Sequence, residues 1–165
     1  MEVHFRRLSA EWLEQLPPNL REAALKALTE SDAKRVWSSW KFHARDAQWE
    51  PEGDWRIWLF LGGRGAGKTR AGAEWVAKAI REQRAKRVAL IAASHADARM
   101  VMIEGPAGLL SLSEGAEYEP SLRRVRWPGI GAKAAVMSAD EPDSIRGYQF
   151  ERCWGDGDRA PRRTR

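Results

Sequence analysis

The sequence predicts an α/β protein: a three-layer fold with a mainly parallel sheet, preceded by a helical N-terminal extension. Three observations predict it. The first is a glycine-rich run, Gly62-Gly63-Arg64-Gly65-Ala66-Gly67-Lys68-Thr69, set between an apolar stretch, Trp55–Leu61, and a helical pattern. The second is another apolar run, Arg87–Ala93, reached from the first through that helix, so that the two strands would lie parallel with a right-handed crossover. The third is the N-terminal third of the chain, where apolar residues recur at helical rather than strand spacing.

Taken in order, Ser9 is placed to cap a first helix, which Pro17-Pro18 ends. Asn19 and Glu22 have the spacing of a capping box, followed by Leu20, Ala24, Ala27 and Leu28 on one helical stripe. A third helix is expected over about Asp32–Phe42, and the polar stretch Gln48–Asp54, with Pro51 and Gly53, leads into the strand Trp55–Leu61. After the glycine run, Ala73, Val76, Ala77 and Ile80 define the buried stripe of a helix. The strand Arg87–Ala93 follows, then helical material over His95–Glu104 and Pro106–Leu112. Leu122–Trp127 and Ala132–Met137 flank Pro128-Gly129-Ile130-Gly131 as a hairpin. Ser138–Gly147 is an acidic loop and Phe150–Trp154 a last, weak strand. Three segments result: 1–47 helical, 48–156 the α/β core, and 157–165 a disordered tail.

The glycine run matches G-x-x-x-x-G-K-[ST] at every fixed position. Glycines let backbone N–H groups crowd around phosphates, Lys68 is the residue that reaches the β- and γ-phosphates, and the Thr69 hydroxyl is the one that ligates Mg²⁺. Strand, glycine loop and helix together aim a helix N-terminus at an anion. This points to the P-loop NTPase version of the three-layer fold. Composition agrees with a nucleic-acid partner: the formal net charge is +5, although part of the excess lies in the arginines from Arg152 onward, a pattern common in solvated tails. The single cysteine, Cys153, excludes an intramolecular disulfide, and no apolar run approaches the ~18 residues of a membrane helix, so an intracellular protein is expected.

Three separated stretches then carry a resemblance: Ala44-Arg45-Asp46-Ala47-Gln48, Trp58–Trp75 across the glycine loop, and Ser138–Gly147. In that order they resemble the large terminase subunit of tailed phages, in the version carried by phage-like gene transfer agents. The resemblance implies an ATPase that drives double-stranded DNA into a capsid, with ATP and Mg²⁺ as cofactors. It also implies portal and small terminase subunits as partners, a homo-oligomeric ring, and a place in the bacterial cytoplasm beside a procapsid. By the same resemblance the loop residues Gly62, Gly63, Arg64, Gly65, Ala66, Gly67, Lys68 and Thr69 bind the nucleotide, Gln48 reads adenine, and Arg64 senses phosphate. Arg146 is the arginine finger acting across subunits, and Asp156 holds Mg²⁺ with Thr69.

One departure matters. The family follows the metal aspartate with a glutamate that activates the attacking water, whereas Asp156 here is followed by Gly157 and an arginine-rich string. The expectation is a chain truncated at its C-terminus, without the family's nuclease domain, marginally stable and impaired in hydrolysis. Two alternatives stay open: a nucleotide-binding remnant without catalysis, and an unrelated P-loop ATPase or kinase.

Overall fold

The computed structural model describes residues 9–157. The expectations for the arginine-rich tail, 158–165, lie outside the described residues. The chain divides into two compact units, 1–60 and 61–165.

The first unit is helical. Helix α1 spans Ala10–Gln15, with the Ser9 hydroxyl accepting from the Trp12 N–H at 3.1 Å, as its position in the sequence predicts. Its last carbonyls are satisfied by Arg21, whose guanidinium donates to the carbonyls of Leu13 and Leu16, each at 3.2 Å. Helix α2, Pro18–Lys26, corrects the capping-box expectation. Pro17 is its N-cap and Pro18 its first residue, so Asn19 lies inside the first turn and no side chain caps the helix. The fixed φ of proline makes that start favourable without a cap. The expected third helix is two: α3, Glu30–Ser38, capped by Thr29, and α4, Trp40–His43. They part at Ser39, which is extended, while the Ser38 hydroxyl donates to the Arg35 carbonyl. Adjacent serines compete for backbone groups in this way and weaken a helix interior.

The predicted strand Trp55–Leu61 does not form. Ile57, Leu59 and Leu61 are 86%, 72% and 78% exposed. The aromatic residues of the stretch find one another instead. Trp58 stacks on Phe60 with centroids 6.3 Å apart, Trp55 meets Trp58 edge-on, and the Trp55 indole donates to the Pro51 carbonyl. Stacking between residues two apart keeps the alternation of a strand without a hydrogen-bonded neighbour.

The second unit is a mixed α/β structure. Its long helix α5 runs Lys68–Arg81, followed by β1 (Arg87–Ala92), α6 (His95–Asp97) leading into a π-helical turn (Ala98–Ile103), and α7 (Leu109–Leu112). The remaining strands are β2 (Glu117–Glu119), β3 (Arg124–Trp127), β4 (Ala132–Ser138) and β5 (Arg152–Gly155). The sheet order is β2-β3-β4-β1-β5. Strand β1 is parallel to β4 and β5, whereas β2, β3 and β4 are antiparallel. The mainly parallel sheet expected from the sequence is thus corrected to a mixed one, because the hairpin β3–β4 extends it with β2. Strand β2 escaped the sequence pattern because Tyr118 sits between two glutamates, which pair with Arg124 and Arg126 of β3.

Register explains the core. Leu90, Val136 and Trp154 stand side by side on one face, as do Val88, Ala134 and Val125. These residues form a single cluster with Ala73, Val76 and Ile80 of α5, Met102 and Ile103 of the π-helical turn, and Leu109 of α7. The α5 stripe predicted from helical spacing is buried throughout. A second helical layer, which the three-layer expectation requires, is not part of this core.

Candidate functional site

The glycine loop owes its shape to two residues. Gly65 and Gly67 have φ of 78° and 80°, a region that L side chains rarely adopt. Gly67 is also the N-cap of α5, so the first free N–H groups of this fourteen-residue helix open directly from the loop. Lys68 folds back over the loop, its ammonium donating to the carbonyls of Gly62 at 2.9 Å and Gly63 at 3.0 Å. A lysine held on backbone carbonyls beside a left-handed loop places a cation at the N-terminus of α5, a combination that favours an anion.

The next residue makes the long-range contact of the site. The Thr69 hydroxyl donates to Oδ2 of Asp156 at 2.8 Å, joining positions 87 residues apart. Two devices place this pair. The Asp156 N–H donates to the Ile91 carbonyl at 2.9 Å, continuing the parallel ladder one residue beyond β5 and fixing the backbone of the aspartate. In addition, Gly72, one turn along α5 from Thr69, lets the helix lie directly on Trp154, two residues before Asp156. A Cβ at Gly72 would fall 2.2 Å from the Trp154 ring. Gly72 is the positioning residue that the sequence reading missed. Its signal was a glycine inside a helical pattern, which usually has a packing reason.

The other expected residues are placed separately. Arg64 is exposed at the loop tip. Gln48 belongs to the first unit, in a 3₁₀ turn spanning Asp46–Gln48, where it is buried and its Oε1 accepts from the Arg45 N–H at 2.9 Å. Arg146 follows a 3₁₀ turn at Pro142–Ile145, is 85% exposed at its side chain, and pairs with Asp143 at 3.2 Å. Gly157 is exposed, and an added Cβ there would meet nothing within 4 Å among the described residues.

The residues present fit a small divalent cation held together with an anion. A hydroxyl and a carboxylate oxygen converge beside a lysine and a helix N-terminus. Among the described residues no group of three His, Cys, Asp or Glu side chains converges as a protein-only metal site. A hard cation here would therefore complete its shell with phosphate and water oxygens, the usual habit of Mg²⁺.

Comparison with known proteins identifies the family. The family model described as terminase large subunit, T4likevirus-type, N-terminal, matches residues 59–158, a span that contains the loop, α5, the whole sheet and Asp156. The chain belongs to this family of terminase large subunits, in its N-terminal part. No curated protein and no solved structure matches the chain.

Proposed function

We propose that the chain is the nucleotide-binding part of a DNA-packaging motor, a P-loop ATPase domain that takes ATP with Mg²⁺. The observation that carries this reading is the Thr69–Asp156 hydrogen bond. It joins the hydroxyl at the end of the glycine loop to a carboxylate at the end of the neighbouring strand. Family membership supports the packaging role.

In this reading the loop N–H groups and Lys68 bind the phosphates, the ammonium leaving the Gly62 and Gly63 carbonyls for the more strongly accepting phosphate oxygens. Thr69 and Asp156 are the residues that would hold Mg²⁺. When bound, Mg²⁺ neutralises charge on the phosphate oxygens. Arg64 stands at the loop tip to meet the terminal phosphate. Arg146, exposed beyond its own subunit's turn, is available to a neighbouring copy in a ring. Gln48, whose Oε1 accepts from the Arg45 N–H, is the residue that would read adenine. Double-stranded DNA, a portal and a small terminase subunit are the partners, and the bacterial cytoplasm beside a procapsid is the place of action.

Gly157 favours binding over turnover. It occupies the position of the water-activating carboxylate, and a general base typically contributes ~10²–10⁴-fold to rate. The test is equilibrium binding of a fluorescent ATP analogue with and without Mg²⁺. Lys68→Ala is expected to weaken binding at least about tenfold, as loss of a charge-assisted contact implies. Thr69→Ala and Asp156→Ala are expected to abolish the Mg²⁺ dependence and leave metal-free binding nearly unchanged. Equal affinity in wild type and all three variants would overturn the reading.

A further inference from the structure

We propose that the amino-terminal rim of the parallel strands, centred on Lys133, contacts the phosphate backbone of duplex DNA; this rests on the DNA-packaging reading above. Arg126 of β3, Lys133 of β4 and Arg87 of β1 are register partners across three adjacent strands. They therefore share a face, the one opposite Val88, Ala134 and Val125 of the core. Adjacent strands lie about 4.8 Å apart, so the row spans roughly 10 Å. Like charges set directly opposite one another on neighbouring strands are destabilising. The outer two are relieved by carboxylates. Arg126 lies 2.6 Å from Glu117 and 3.1 Å from Glu119, and Arg87 lies 3.3 Å from Glu151. Lys133, between them, is exposed and has no ion pair among the described residues. The glutamates hold the guanidiniums in line and leave the central charge uncompensated.

A duplex carries a phosphate for every nucleotide, and Lys133 offers it the row's one uncompensated charge among the described residues while reading no base edge. The next row inward on the same face is Arg124, Ala135 and Ala89, without a large apolar side chain. A protein interface would be expected to place an apolar anchor there, and backbone phosphate needs none. The rim is also at the opposite end of the strands from Asp156. The five positions from Lys133 to Ser138 put on the order of 17 Å between DNA and nucleotide, which lets both bind at once.

The test is binding of the full chain to a short random-sequence duplex across a salt series. Lys133→Ala is expected to weaken binding several-fold and reduce the slope of log affinity against log salt by about 1, the signature of one lost phosphate contact. Lys133→Glu should weaken it further, and Lys133→Arg should restore it. Circular dichroism and ATP-analogue binding of each variant report whether the fold survives. Wild-type DNA binding that is unchanged in Lys133→Glu overturns the rim and leaves the packaging reading intact. No DNA binding by the wild type overturns both. Binding to poly-glutamate with the same Lys133 dependence, and none to duplex, would assign the rim to an acidic protein and overturn the proposal.

Discussion

Gly157 stands beside Asp156 with nothing among the described residues within 4 Å of the position its Cβ would occupy, and its φ lies outside the strained positive range. Among the described residues, therefore, nothing blocks a larger side chain at this position. Gly157→Glu is expected to raise ATP turnover, by up to ~10²–10⁴-fold if the added group reaches the attacking water. Steady-state phosphate release in wild type and variant, each beside a Lys68→Ala control, measures it. No rise over the Lys68→Ala background would count against the proposed role of position 157 in activating water. Much of the site was legible at this scale. Lys68 and Thr69 are picked out by the glycine pattern, whereas Asp156 came only from resemblance to the family's metal aspartate, since the strand before it carries Glu151 and Arg152. Gln48 was legible only as a residue type. The 3₁₀ turn brings its Oε1 to the Arg45 N–H, a local contact that residue type alone does not announce.

Between elements, the contact that decides the site is α5 lying on β5 at Gly72. Alanine there has the better helix propensity by about 1 kcal/mol, yet its Cβ would enter the Trp154 ring. Overpacking of this kind costs ~1–3 kcal/mol. Gly72→Ala is therefore expected to lower the thermal midpoint by several degrees and, by pushing β5 away, to weaken Mg²⁺-dependent nucleotide binding. Trp154→Phe in the same chain should recover part of both. A Gly72→Ala protein as stable as wild type would show that the ring has room to move. The α5 stripe and β1 were readable because a single burial pattern dominates each: period 3.6 in one, a continuous apolar run in the other. Trp55–Leu61 was not, since a period of two is equally served by pairing with a strand and by aromatic stacking along the chain. The start of α2 was misread because two capping devices lie in adjacent residues and the proline prevails.

At the scale of the whole molecule, a carboxylate just before β5 links folding to pH. Glu151 Oε2 accepts from the backbone N–H groups of Lys86 at 2.6 Å and Arg87 at 3.2 Å, and Oε1 faces the Arg87 guanidinium. The backbone N–H groups above all, and the guanidinium with them, hold its pKa below the ordinary 4.5. A depressed carboxylate pKa stabilises the folded chain fully above the unfolded value, and that contribution is lost as pH falls through the folded one. Glu151→Gln should therefore lower the urea midpoint at neutral pH. The difference from wild type should shrink once pH drops below the ordinary 4.5. A gap between the two proteins that stays constant with pH would mean that Glu151 acts through packing alone.

The Thr69–Asp156 bond has a further consequence, for the time course of self-assembly. Its partners are 87 positions apart, and β5 must be laid beside β1 before they can meet. Pairings this distant in sequence close slowly, because the entropy of the intervening loop is lost before any contact rewards it. A nucleotide that recognises only the completed pair selects chains that have finished folding and stabilises them by RT ln(1 + [L]/Kd). On the proposed nucleotide-binding reading, ATP would act on this chain first as a folding ligand, with nucleotide occupancy and completed topology rising together.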